Sequence, residues 1–211
     1  MELKTTIIQA SIRGDKHKTI PNQDYINVFE NDEFLITTVS DGLGSSKNSL
    51  EGAQIACKSV IDEIQKFQLS SELQFLNNKV KERWKKEKKI IVGQIGDVLV
   101  SLRMDGLFRY LESTSKDFSN ETVCLGSGRN ENFKLALFEF GHTFDFLIAT
   151  DGIADELQTE KIETLHDYFK NKFQNIEESR RNDALKCDLE EFLTEKNNDD
   201  KSMIFIWSNK N

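Results

Sequence analysis

Short apolar runs separated by polar turns recur along the chain and predict a series of strands. The predicted strands are 3–12, a strand beginning at Tyr25, 34–40, 90–92, 98–103, 122–125, 133–138, 144–150 and 202–207. These runs are rich in Ile, Val, Phe and Thr, and Gly, Asn or Asp residues bound many of them, a combination typical of strands.

Three stretches have helical periodicity instead. A first helix is predicted from Ser46 or Lys47 to about Phe67, because small and apolar residues recur there at i, i+3, i+4 and i+7 spacing, a stripe that includes Val60 and Ile64. A second helix is predicted from Ser71 to about Lys88, and a helical region spans 158–194. The order of these elements lacks regular β-α alternation. It predicts an α+β sandwich of antiparallel sheets covered by helices.

Length, charge and cysteine content exclude some classes of protein. A chain of 211 residues is expected to form a single domain, 1–211. Its net charge of −8 argues against binding to nucleic acid, since a phosphate backbone favours a basic surface. There is no apolar run near 18 residues and no signal-peptide pattern, so we expect a cytoplasmic protein without a membrane partner. The three cysteines lack CxxC spacing and are expected to be reduced.

Four aspartates occupy equivalent positions at the ends of predicted strands. Asp41 and Asp151 each follow an apolar run and precede a glycine, Asp24 precedes the second strand, and Asp199 precedes the last. Asp97, in a Gly-Asp pair before another strand, is a fifth. Each one alone is typical of a turn or cap. Together they favour a site for a hard divalent cation, Mg²⁺ or Mn²⁺, because converging carboxylates need a cation to offset their repulsion.

The order of these aspartates resembles that of a known family. The motifs are Asn22-Gln23-Asp24, Ser40-Asp41-Gly42-Leu43-Gly44-Ser45-Ser46, Ala149-Thr150-Asp151-Gly152-Ile153-Ala154-Asp155 and Asp199-Asp200-Lys201-Ser202. They look like the ordered motifs of the metal-dependent (type 2C, PPM) serine/threonine protein phosphatases. Gly14-x-x-His17 and Asn120-Glu121-Thr122 are similar to a compact bacterial branch of that family.

The resemblance implies a four-layer α-β-β-α sandwich, two antiparallel sheets flanked by helices, with two Mn²⁺ or Mg²⁺ ions at one end. By analogy, Asp41 would bridge the two ions and the Gly42 carbonyl would ligate one of them. Asp151 and Asp199 would complete the other ion's ligands, and Asp24 would bind directly or through water. Asp97 matches the position that holds a third ion in some members.

The implied activity is hydrolysis of phosphoserine or phosphothreonine in proteins by a water bridging two metal ions, with Asp41 and Asp151 as catalytic residues. Two ions lower the pKa of such a water and stabilise the attacking and leaving oxygens. His17 would be the general acid for the leaving oxygen, or would make a structural hydrogen bond. A cognate serine/threonine kinase is an implied partner.

The chain departs from the family where the substrate phosphate is held. Many members have an arginine four residues before the middle residue of the Asn-Gln-Asp motif, and this chain has Thr19 there. Arg13 or Lys16 could bind the phosphate instead, as could His17 or Lys18. This departure motivates an alternative, a catalytically weak or inactive member that binds phosphoproteins as a regulatory module. In a third interpretation, the chain is an interaction domain whose aspartates only form turns.

Overall fold

The structure, a computed structural model, describes residues 4–17, 19–31, 34–69, 88–111, 134–191 and 198–208. The strands in these ranges are β1 (Thr5–Ile12), β2 (Tyr25–Glu30), β3 (Leu35–Ser40), β4 (Lys88–Gln94), β5 (Leu99–Met104), β6 (Leu107–Leu111), β7 (Lys134–Phe140), β8 (Phe144–Ala149) and β9 (Lys201–Ser208). The α-helices are α1 (Ser49–Leu69), α2 (Asp151–Ala154), α3 (Thr159–Phe173) and α4 (Arg181–Glu191). Short 3₁₀ turns cover Asp15–His17 and Glu178–Arg180. The fold is therefore α+β.

All the strand pairs described are antiparallel. Five strands form one sheet in the order β1-β9-β8-β5-β6, while β2 pairs with β3 and β4 pairs with β7. Every residue of β8 and β9 is buried. Both faces of the central strands are therefore covered by other elements, which explains why their sequences are nearly continuous apolar runs.

Two clusters of buried side chains cover the two faces of the five-stranded sheet. On one face, Leu147 and Phe205 of the sheet belong to the same cluster as Phe169 and Phe173 of α3 and Leu185 of α4. The cluster on the other face includes residues of β5, β8 and β9, against which partly buried residues of β2, β3, β4 and β7 pack. One buried cluster therefore joins the large sheet to α3 and α4, and the other joins it to the two strand pairs.

Helix α1 covers β2 and β3. Its residues Ala53, Cys57 and Ile61, at i, i+4 and i+8, are 3–6% exposed. The prediction that Val60 and Ile64 also face the core is wrong, since they are 46% and 38% exposed. Val60 lies to one side of the buried stripe, whereas helix length explains the exposure of Ile64. Twenty-one residues extend about 31 Å, whereas the six-residue strands beneath extend about 20 Å.

Most of the predicted elements are confirmed to within a few residues. Lys88 is an exception, because it belongs to β4 and not to a helix end. Two elements were not predicted, the hairpin strand β6 and the short helix α2. The predicted helix over 71–87 and strand over 122–125 lie outside the described residues. Among the described helices, none combines the length and apolarity needed to cross a bilayer.

Candidate active site

The turn after β3 places Asp41 close to the loop that carries Asp24. Gly42 is buried at this turn. A Cβ atom at residue 42 would overlap the backbone oxygen of Gln23 and meet the hydroxyl of Ser49. The close approach of the two loops therefore requires glycine, and it holds the residue after Gln23, Asp24, beside Asp41.

The carboxyl groups of Asp24 and Asp41 share a hydrogen bond. Asp24 is only 5% exposed, and its carboxylate accepts a 2.8 Å hydrogen bond from the Thr150 hydroxyl. Asp41 is more exposed as a residue, but protein atoms surround its carboxyl group and remove part of its water. Burial, followed by mutual repulsion, raises the pKa of Asp41 above its usual range, and burial does the same to the pKa of Asp24. Without a cation, the pair is expected to share a proton.

Asp151 brings a further carboxylate to the same region from the end of β8. It is the first residue of α2 and follows Thr150, whose backbone N–H donates to the Ser202 carbonyl of β9 at 3.0 Å. Burial raises the pKa of Asp151 to about 7, and the negative charges of Asp41, Asp97 and Asp199 contribute. Carboxylates from separate segments of the chain therefore act on one another electrostatically.

These five carboxylates have the chemistry of a hard divalent-cation site. All their donors are oxygen atoms, the type that Mg²⁺ and Mn²⁺ prefer, and the raised pKa values of Asp24, Asp41 and Asp151 indicate uncompensated negative charge. Across the ranges described, however, no three His, Cys, Asp or Glu side chains stand in an arrangement that could hold an ion. The donors suit Mg²⁺ or Mn²⁺ in type and charge.

The loop after β1 contributes a cation to this acidic region. The Lys16 ammonium pairs with the Asp199 carboxylate at 2.7 Å, and the Lys16 N–H donates to the Asn198 carbonyl at 2.9 Å. The hydrogen bond to Asp199 is the largest cause that raises the pKa of Lys16. Arg13 is exposed at the start of this loop, and Thr19 is also exposed. The side chain of His17 lies outside the part of the chain that is described.

Two buried polar residues that support the region were not identified from the sequence. Thr150 is fully buried, and its hydroxyl also accepts the Ser202 N–H at 3.0 Å. Asp200 is 2% exposed, and its carboxylate accepts backbone hydrogen bonds from Gly14 and Gln23. Both residues fall within the motifs described above, but their roles depend on contacts between segments that are distant in sequence. Only the polarity of residues at the edges of buried strands pointed to them.

Solved structures of phosphatases are similar to this fold. RsbX in complex with magnesium superposes with a TM-score of 0.59 at 14% identity, covering 99% of each chain. The catalytic domain of the serine/threonine protein phosphatase PstP, in complex with two manganese ions, gives 0.58 at 15% identity, covering 98% of this chain and 99% of that one. The serine/threonine phosphatase Stp1 from Staphylococcus aureus gives a TM-score of 0.59 at 14% identity, covering 100% of this chain and 96% of that one. At these identities, the likeness establishes the fold alone.

Sequence comparison establishes the family. No curated protein matches the chain. A family model described as protein phosphatase 2C matches residues 13–89 and 80–194, which together make up most of the sequence. The matched residues include Asp24, Asp41, Asp97 and Asp151, and the match ends shortly before Asp199. The chain belongs to the protein phosphatase 2C family.

Proposed function

We propose that this protein is a metal-dependent phosphatase that hydrolyses phosphoserine and phosphothreonine monoesters in proteins. The convergence of the Asp41 and Asp151 carboxyl groups, with pKa values raised by burial and mutual repulsion, carries the proposal. Membership of the protein phosphatase 2C family supports it, as do the magnesium and manganese ions bound by two structural relatives.

The residues that would hold two Mn²⁺ or Mg²⁺ ions are Asp24, Asp41, the Gly42 carbonyl, Asp151 and Asp199. Asp97, whose charge acts on both Asp41 and Asp151, would hold a third ion. When bound, such ions supply a water of lowered pKa and positive charge for the attacking and leaving oxygens of an in-line displacement. The raised pKa values of Asp24, Asp41 and Asp151 predict that metal binding releases protons near neutral pH.

The protein's own residues position and balance this site. The Thr150 hydroxyl fixes one oxygen of Asp24 and links it to the start of β9. Lys16 neutralises part of the charge on Asp199. Because the Lys16 ammonium is more than half exposed, a substrate phosphate could reach it. We propose that Lys16 and Arg13 bind the phosphate in place of the arginine that Thr19 replaces, and that His17 acts as a general acid.

The wider arrangement is also part of this proposal. The chain forms a single domain whose four layers follow the order helix, sheet, sheet, helix, consistent with the two buried clusters on either side of β8 and β9. We place the protein in the cytoplasm, acting on phosphoproteins that a cognate serine/threonine kinase supplies.

A second function, phosphoprotein binding without turnover, is favoured by one observation. Thr19 stands where many family members have a phosphate-binding arginine, and Lys16, one candidate replacement, is paired with Asp199. Without that arginine, a bound phosphate would be poorly aligned for attack, so phosphopeptides would bind but be hydrolysed slowly.

Phosphate release tests the proposal and separates the two functions. Wild-type protein is incubated with phosphoserine, phosphothreonine and phosphotyrosine peptides in Mn²⁺, Mg²⁺ or EDTA. We expect release from the first two peptides only, dependent on the metal and abolished by EDTA. Binding of phosphopeptide without release would support the second function. Release that persists in EDTA would contradict the proposal.

A further inference from the structure

The chain segment just before β9 contacts the other loops of the acidic region. Asp200, the residue preceding β9, is 2% exposed and therefore enclosed by protein. One of its carboxylate oxygens accepts the Gly14 N–H at 2.7 Å, and the other accepts the Gln23 N–H at 2.7 Å. Hydrogen bonds to an ionised acceptor are short and strong, and a carboxylate that accepts on both oxygens fixes two partners at once.

Through these two bonds, Asp200 connects the loop of the candidate phosphate-binding residues to the loop of Asp24. Gly14 lies between Arg13 and Lys16, and Gln23 directly precedes Asp24. The carboxylate therefore sets the distance between the two halves of the site.

The same residue is in contact with the loop of Asp151. A Cβ atom on Gly152 would overlap the backbone oxygen of Asp200. Gln23 in turn touches the turn after β3, where a Cβ on Gly42 would overlap its backbone oxygen. Asp200 thus contacts three segments directly and is connected to the turn after β3 through Gln23. Each of these four segments carries a residue proposed for metal or phosphate binding.

We propose that Asp200 is a positioning residue for catalysis, one that holds the Gly14 and Gln23 backbones in register with the acidic cluster. The inference rests on the proposed phosphatase function but concerns a residue to which that function assigns no ligand role. Asp200→Asn is the sharpest perturbation. The amide keeps one acceptor oxygen and turns an NH₂ group toward the other backbone N–H, so one bond is lost with little change of volume.

The test compares Asp200→Asn with Asp105→Asn. Asp105 is a matched control because its carboxylate also accepts backbone N–H bonds, from Gly141, His142 and Thr143, but it lies at the other end of β5 from Asp97. We expect kcat/KM for a phosphopeptide to fall about 100-fold in Asp200→Asn, the scale expected for a misplacement of about 1 Å. It should change less than twofold in Asp105→Asn.

Two readouts separate positioning from a structural role and from the activity itself. The Kd for Mn²⁺ measured by calorimetry should rise at least tenfold in Asp200→Asn, and hydrogen exchange at the Gly14 or Gln23 amide should accelerate. Both measurements remain valid if the wild-type protein shows no turnover, in which case only the proposed function fails. An Asp200→Asn protein with wild-type Mn²⁺ affinity, kcat and KM would overturn the inference, whatever its melting temperature.

Discussion

A network of charged side chains connects β5 and β8 to α3, and it leads to a prediction about stability that does not depend on the proposed function. Asp145 has a side chain that is only 5% exposed, yet it lies beside two cations. One oxygen accepts two hydrogen bonds from the Arg103 guanidinium, at 2.9 and 2.6 Å, and the other accepts one from the Lys170 ammonium at 2.9 Å. Asp167 forms a second ion pair with Arg103 at 2.8 Å, but its side chain is 57% exposed.

Asp145→Asn removes the buried negative charge and leaves both cations in place. Removing one partner of a buried ion pair costs about 3–5 kcal/mol of stability. We expect the lower value, about 3 kcal/mol, because Arg103 keeps its ion pair with Asp167 and the Lys170 side chain is already 31% exposed to water. With an unfolding entropy of about 2.1 cal/mol/K per residue, the chain has about 0.44 kcal/mol/K, so 3 kcal/mol lowers the melting temperature by about 7 °C.

The control for this prediction is Asp167→Asn, which removes the exposed carboxylate from the same arginine. A surface ion pair contributes about 0.5 kcal/mol, equivalent to about 1 °C. Thermal unfolding followed by circular dichroism at pH 7 measures both variants. If the two melting temperatures fall by equal amounts, or if Asp145→Asn shifts by less than 2 °C, the argument from burial is wrong.

Three further predictions concern the hydroxyl, the glycine and the histidine that the fold encloses. Thr150→Val deletes the hydrogen bonds of the hydroxyl to Asp24 and to the Ser202 N–H with little change of volume, so the Mn²⁺ concentration at half-maximal activity should rise about tenfold; an unchanged metal titration would refute this role. Gly152→Ala introduces a Cβ that overlaps backbone atoms and should lower the melting temperature by several degrees. Gly52→Ala, with open space at an exposed helix position, should raise the free energy of unfolding by about 1 kcal/mol and the melting temperature by about 2 °C. Burial lowers the pKa of His166 to about 4 from an ordinary value of 6.5. As the pH falls, the unfolded chain binds a proton at His166 before the folded chain does. The contribution of His166 to the free energy of unfolding is therefore intact above pH 6.5 and is lost as the pH falls towards 4, about 3 kcal/mol in all. His166→Gln should therefore show a flatter urea-midpoint profile over pH 4–6.5 than the wild type, and parallel profiles would contradict the assignment.

The parts of the fold that were predicted correctly are those encoded locally. Asp41-Gly42 and Asp151-Gly152 were recognised as strand ends because an apolar run followed by Asp-Gly is a signal contained in a few residues. The strands around them are confirmed for the same reason. That these carboxylates serve as metal ligands stays a prediction, because the sequence pattern and the family both indicate it and only binding can test it.

Local signals also explain the missed hairpin between β5 and β6. Asp105 and Gly106 both have positive φ angles, 48° and 85°, as a tight two-residue turn requires. The Asp-Gly pair between Met104 and Leu107 is itself a turn signal, and the residues after it could be assigned to an edge strand from that signal. The strand was overlooked because its five residues mix Arg and Tyr with apolar residues.

The residues that no local pattern could identify are those defined by long-range contacts. Asp200 bonds residues 177 and 186 positions away, and Thr150 bonds Asp24 at a separation of 126. In the sequence, both look like ordinary polar residues next to strands. Their importance arises only after β9 pairs with β1 and with β8, because the β1–β9 pairing brings the two ends of the chain together.

The central claim, that the Asp41 cluster carries metal-dependent phosphatase activity, is tested most directly by one kinetic comparison. Phosphate release from a phosphothreonine peptide is measured with saturating Mn²⁺ for wild type, Asp41→Asn and Asp105→Asn, after circular dichroism has shown that all three are folded. We predict a loss of at least about 1,000-fold in kcat/KM for Asp41→Asn, more than 4 kcal/mol of transition-state stabilisation, and less than twofold for Asp105→Asn. Equal turnover by folded Asp41→Asn and wild-type protein would contradict the account.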